Sequence, residues 1–192
     1  TVSLTGSGGT GTGTYQYALD NSNTTAGCSV TGSTLTYTTA GTCVVAVTRI
    51  ADTNYQARTD VVSFTIGLAS QTITFGSLSA RSYSSDTFTV SATSSASLTV
   101  VFTSASQSVC TTSGVSGSTI TLLSVGTCVI NANQIGDSNI AAASQVSQNF
   151  SVNPRAITVT ADAKTKVYGA TDPAFTYTIT TGSLVLGDAI TG

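Results

Sequence analysis

The sequence predicts an all-β chain, a linear array of tandem immunoglobulin-like β-sandwich domains. Three observations carry this: a fixed internal spacing, period-2 alternation of apolar residues, and one cysteine pair per spacing. Gly32-Ser33-Thr34 returns as Gly117-Ser118-Thr119, Gly41-Thr42-Cys43 as Gly126-Thr127-Cys128, and Asp52-Thr53-Asn54 as Asp137-Ser138-Asn139, each 85 positions later. Three anchors sharing one spacing mark a repeat protein. Cys28 maps to Cys110 at 82 and Phe64 to Phe150 at 86, so the length differences fall between anchors, where surface loops absorb them. After Asn153-Pro154 a more diverged copy opens, with Ile157 answering Ile73, Tyr168 answering Tyr83 and Phe175 answering Phe88. The expected domains are 1–68, a repeat lacking its first strand; 69–153, a complete repeat; and 154–192, the N-terminal part of a third.

Each strand is justified by alternation. In the first repeat strands are expected at 1–5, 14–18, 33–38, 41–48 and 61–66, with residues 6–13 as a flexible glycine-rich connection. In the second, Ile73 and Phe75 oppose Thr72 and Thr74, and Phe88, Val90 and Ala92 alternate with Thr87, Thr89, Ser91 and Thr93. Further strands are expected near 98–103, 118–123, 127–133 and 145–152, separated by Ser/Gly/Asn turns. No stretch carries a helical period. Six or seven short strands with one apolar face each must pair those faces, and two packed antiparallel sheets achieve this in about 85 residues.

Composition narrows the function. Charged residues are 7% of the chain, against about 25% in ordinary soluble domains, and Thr, Ser, Asn and Gly supply the polar surface, as in extracellular proteins. The eight acidic residues are all Asp, and His is absent, which removes the favoured general base and the commonest metal ligand. An enzyme is not expected, nor a cofactor. A net charge of −2 with scattered basic residues gives no footprint for nucleic acid, and no apolar run reaches the roughly 20 residues that span a bilayer. Gly6-x-Gly8-x-x-Gly11 spells a dinucleotide fingerprint, but alternating Tyr15-Gln16-Tyr17-Ala18 follows where a helix would have to open.

Four cysteines allow three connectivities, and pairing within each copy, Cys28 with Cys43 and Cys110 with Cys128, is the simplest. Zinc prefers closer cysteine pairs and often His; free thiols are the other alternative. Asp52, Asn54, Asp137 and Asn139 offer oxygens for a loop calcium, while Asp and Asn equally favour a capped turn. Ile157, Thr158, Val159 and Thr160 form a spare strand in the tail, which could complete the first repeat of another copy head to tail. Alternate threonines at 34–38 and 176–180 are the solvent face of ordinary strands or a hydroxyl array. Tyr15, Tyr17 and Tyr55 are the nearby aromatics a glycan site would need.

Ala26-Gly27-Cys28-Ser29-Val30, Ala40-Gly41-Thr42-Cys43, Ala51-Asp52-Thr53-Asn54-Tyr55 and Gln71-Thr72-Ile73-Thr74-Phe75 resemble bacterial immunoglobulin-like repeats of very large secreted and cell-surface proteins. The segments Ala156-Ile157-Thr158-Val159-Thr160, Lys166-Val167-Tyr168-Gly169 and Asp172-Pro173-Ala174-Phe175-Thr176-Tyr177 resemble the start of an MBG-type repeat, found beside them in adhesins. The resemblance implies an extracellular stalk or fibre whose partners are neighbouring repeats or other copies in a filament, with surface glycans as a further partner. It implies no catalytic residues. Ile140 stands where Tyr55 does and Val125 where Ala40 does, so the corresponding loops need not pack alike.

Overall fold

Side chains that alternate between Thr or Ser and an apolar residue make strands with one wet face and one dry face, and the computed structural model is built almost wholly of such strands. It describes residues 1–185 and 187–190. The tail of the expected third domain at 186, 191 and 192 lies outside the described residues. Contacts divide the chain into two units: Thr1–Gln71 with Ile135–Ala143, and Thr72–Gln134 with Ser144–Gly192.

In the first unit the strands are β1 (Val2–Ser3), β2 (Tyr15–Leu19), β3 (Cys28–Thr31), β4 (Thr34–Tyr37), β5 (Gly41–Arg49) and β6 (Arg58–Ile66). They form two antiparallel sheets, ordered β1-β4-β3 and β2-β5-β6. The dry faces meet. Leu4 and Leu35 from one side join Cys43 and Val45 from the other in a single core, with Tyr17 and Phe64 packed against it.

The second unit repeats the plan and adds to it. Its strands are β7 (Ile73–Thr74), β8 (Arg81–Ser82), β9 (Thr87–Thr89), β10 (Thr93–Ser94), β11 (Val101–Ser104), β12 (Cys110–Ser113), β13 (Thr119–Leu122), β14 (Gly126–Asn133) and β15 (Val146–Asn153). One sheet runs β12-β13-β9, the other β11-β14-β15-β8, and β7 pairs with β10. Ile120 and Leu122 on β13, Ile130 on β14 and Phe150 on β15 are all buried, and the Phe88 and Phe150 rings meet edge to face at 5.7 Å across the sheets. The added strand β8 runs parallel to β15, with Val152 opposite Arg81. Beyond it, β16 (Thr158–Ala161) and β17 (Tyr177–Thr181) form an antiparallel hairpin.

The expected all-β sandwich character holds, with differences in detail. The single strand expected at 87–93 breaks into β9 and β10. β3 and β12 were not expected: each has four residues, and only the cysteine and one or two neighbours turn inward. The anchors have a backbone cause. Gly41 and Gly126 open β5 and β14 at φ of 135° and 140°, and Gly32 and Gly117 turn the chain into β4 and β13 at 58° and 70°. L side chains resist those angles, so the same glycines recur at the same repeat positions.

Candidate functional site

Two features repeat in both copies: a sulfur bridge between the sheets and an Asp-x-Asn turn. Cys28 on β3 is bonded to Cys43 on β5, and Cys110 on β12 to Cys128 on β14, with Cα separations of 6.0 Å and 5.7 Å. Each bridge therefore ties one sheet to the other through the core. The loop ahead of it is pinned alike in both copies. The Val44 amide donates to Thr24 Oγ1 at 3.0 Å, and the Val129 amide to Ser106 Oγ at 2.8 Å.

Asp52 and Asp137 build the same turn. Oδ1 of Asp52 accepts the Asn54 and Tyr55 amides, both at 2.9 Å, while Oδ1 of Asp137 accepts those of Asn139 and Ile140 at 2.8 and 2.9 Å. A backbone bond closes each turn, from Asp52 N to Tyr55 O and from Asp137 N to Ile140 O. Such self-capping is what Asp does when its short carboxylate reaches the amides two and three residues on. No three His, Cys, Asp or Glu side chains come together as a metal cluster among the described residues.

Around Asp52 the structure departs from the flexible connection expected at 6–13. Asp52 Oδ2 accepts the Thr12 amide at 2.6 Å and the Gly13 amide at 3.3 Å. The Arg49 guanidinium donates to the carbonyls of Gly8, Gly11 and Gly13, and stacks 5.4 Å from the centre of the Tyr15 ring. Glycines leave their carbonyls unshielded, and a planar fork of donors gathers several at once. The amides of Asn54 and Thr12, first among its donors, hold the Asp52 carboxyl below the usual carboxylate range. The strand β2 follows this loop directly, which leaves no helix for a dinucleotide phosphate.

The three tyrosines separate. Tyr17 packs against the first core, Tyr15 donates its hydroxyl to Gly8 O at 2.9 Å beneath Arg49, and Tyr55 is 54% exposed with its hydroxyl 2.8 Å from Thr10 Oγ1. In the tail, Thr158, Val159 and Thr160 belong to β16 and pair with β17, with Ile157 just ahead of the strand. Tyr168 and Phe175, between the two strands, are almost fully exposed. Asp162 accepts the hydroxyls of Thr176 and Thr178, which lower its pKa and hold the two sides of the hairpin together.

The MBG domain family (YGX type) matches residues 157–192, the segment that contains Tyr168-Gly169. No curated protein matches the sequence. Among solved structures, the chain is similar to surface layer protein SbsC, domains 1–6, at 16% identity and a TM-score of 0.32, covering 86% of this chain and 28% of that one. For SbsC domains 4–9 the identity is 16% and the TM-score 0.32, with 78% of this chain and 24% of that one covered. The chain thus spans about a quarter of the length of either structure.

Proposed function

We propose that this chain is a structural repeat segment of a large extracellular bacterial surface protein, an adhesin stalk or fibre of immunoglobulin-like domains strung in a line. The observation that carries the reading is the recurrence of one bridge between sheets, Cys28–Cys43 and Cys110–Cys128, at the same place in successive repeats. Disulfides persist in oxidising compartments, and small sandwiches with modest cores gain most from them. The MBG match in the tail supports the same setting. In such an array the work is mechanical: stability sums over repeats and their neighbours, and each bridge limits how far a repeat extends under load.

Pulling single chains tests this. The bridges withhold sequence separations of 15 and 18 residues, so reduction should lengthen the two unfolding steps by up to about 50 Å and about 60 Å at roughly 3.5 Å per residue. Steps of equal length with and without dithiothreitol would remove the mechanical role.

A second reading has its own observation. The outer edge of β6 pairs with no strand among the described residues, and Val61 and Val62 on β6 are exposed. A bare edge is a template for strand addition, and the segment Ile157, Thr158, Val159, Thr160 of another copy could fill it, making the chain a filament subunit. Light scattering at rising concentration distinguishes the readings: growing particles favour the filament, a constant mass the stalk. A glycan site would have to be built on Tyr55, the one exposed ring of the three, and glycan-array binding lost in Tyr55→Ala would establish it.

A further inference from the structure

The two Asp-x-Asn turns have the same internal hydrogen bonds but different surroundings. Residues 135–143, although they lie between β14 and β15 in sequence, belong to the first compact unit. There Asn139 Oδ1 accepts the amide of Ala40, 99 residues away, at 2.9 Å. The backbone beside it is paired as well: Ala69 N donates to Asn139 O, and Ala141 N donates to Ala69 O, each at 2.8 Å. Ala69 and Ile140 form a parallel bridge, and Gln71 Nε2 donates to Ala141 O at 2.8 Å. Ala40 is the residue that introduces Gly41-Thr42-Cys43, so the loop reads one of the repeat's own anchors.

Asn54, at the same position in the other turn, makes no side-chain hydrogen bond among the described residues, and both Asn54 and Tyr55 are exposed where Asn139 and Ile140 are half-buried. Turn geometry is therefore not what separates them. Seating is. From this we infer that the Asp-x-Asn turn is a repeat-recognition plug, in which the Asp shapes the turn and the Asn side chain captures the backbone amide just ahead of a Gly-Thr-Cys strand. Asn139 is the seated plug. Asn54 is the same plug unseated: its turn is shaped by Asp52, but its side chain holds no such amide among the described residues.

This deepens the stalk reading and rests on it only for its purpose, since the contact can be tested wherever the protein works. Amide hydrogen exchange on the full oxidised chain reads it directly. In Asn139→Ala the Ala40 amide should exchange about five- to tenfold faster, the loss of one modest hydrogen bond. Asn139→Asp, which keeps an acceptor at the same atom, should restore protection, whereas a role in packing alone would not discriminate between the two variants. Asn54→Ala should leave Ala40 unchanged. Unaltered exchange at Ala40 in Asn139→Ala, or equal acceleration in Asn54→Ala and Asn139→Asp, would overturn the plug. The stalk reading would survive either result, because it stands on the bridges.

Discussion

In the second repeat β8 lies along the end of β15, and Phe150 and Val152 are buried; in the first repeat the matching residues Phe64 and Ile66 on β6 stay half-buried, and no strand among the described residues covers that edge. The clamp is common to both. What differs is the closing of the apolar face: Phe75 packs on Phe102 with ring centres 5.4 Å apart, and the Arg81 guanidinium sits 3.7 Å over Phe88. Sequence follows this difference. Where β6 has Val61 and Val62, β15 has Ser147 and Gln148, and the Gln148 amide donates to Phe75 O at 2.9 Å. In the second repeat the segment around Phe75 and Arg81 thus supplies cover that the disulfide, which fastens the two sheets, does not.

The largest expected effect comes from truncating equivalent core residues. Leu35 on β4 and Ile120 on β13 hold the same repeat position and are both fully buried. Leu35→Ala and Ile120→Ala should each cost about 2–5 kcal/mol in denaturant unfolding, with the second nearer the top because a closed core relaxes less around a cavity. A larger loss at Leu35 would break the comparison.

Next is the clamp itself. Replacing Cys28 and Cys43 together with Ser, or Cys110 and Cys128 together, releases a loop worth about 3 kcal/mol in the chain-entropy model. The first repeat, with fewer buried residues, should lose protection throughout β2, β5 and β6 by hydrogen exchange, whereas the second should keep a protected β14. Smaller again is Arg81→Ala. Losing the cation over Phe88 should cost about 1 kcal/mol and touch only the second repeat.

How much of this was legible depends on range. The glycine and cysteine anchors were readable because they answer local demands, positive φ and a half-buried strand facing its partner, that every repeat meets in the same way. β3 and β12 were not: Cys28-Ser29-Val30-Thr31 and Cys110-Thr111-Thr112-Ser113 are too short and too polar to show a period, and they are strands because a neighbour pairs with them. β8 has two polar residues and owes its place to β15. The Asp-x-Asn motif was visible, but its two fates were not, since Ala40 lies 99 residues from Asn139. Arg49 likewise carried no signal for its hold on glycines 36 to 41 residues earlier, and the loop read as flexible for want of side chains.

That loop supplies the smallest expected effect, and it separates the two turns from the other direction. Asp52 uses its second oxygen on a distant backbone, at Thr12 and Gly13, whereas among the described residues the Asp137 carboxylate bonds within its own turn. Because the folded chain depresses the Asp52 pKa, its contribution is complete above the ordinary carboxylate value near 3.9 and is lost as pH falls through the lowered one. Acid should therefore free the Thr12 and Gly13 amides before β5 or β6 opens, observed as faster exchange at those two positions alone. At neutral pH Asp52→Asn should mimic it, since a neutral amide oxygen accepts more weakly than a carboxylate and its NH2 group faces donors where an acceptor is needed. If Thr12 and Gly13 hold their protection in both conditions, Arg49 alone secures the loop, and the Asp52 turn differs from the Asp137 turn only in being unseated.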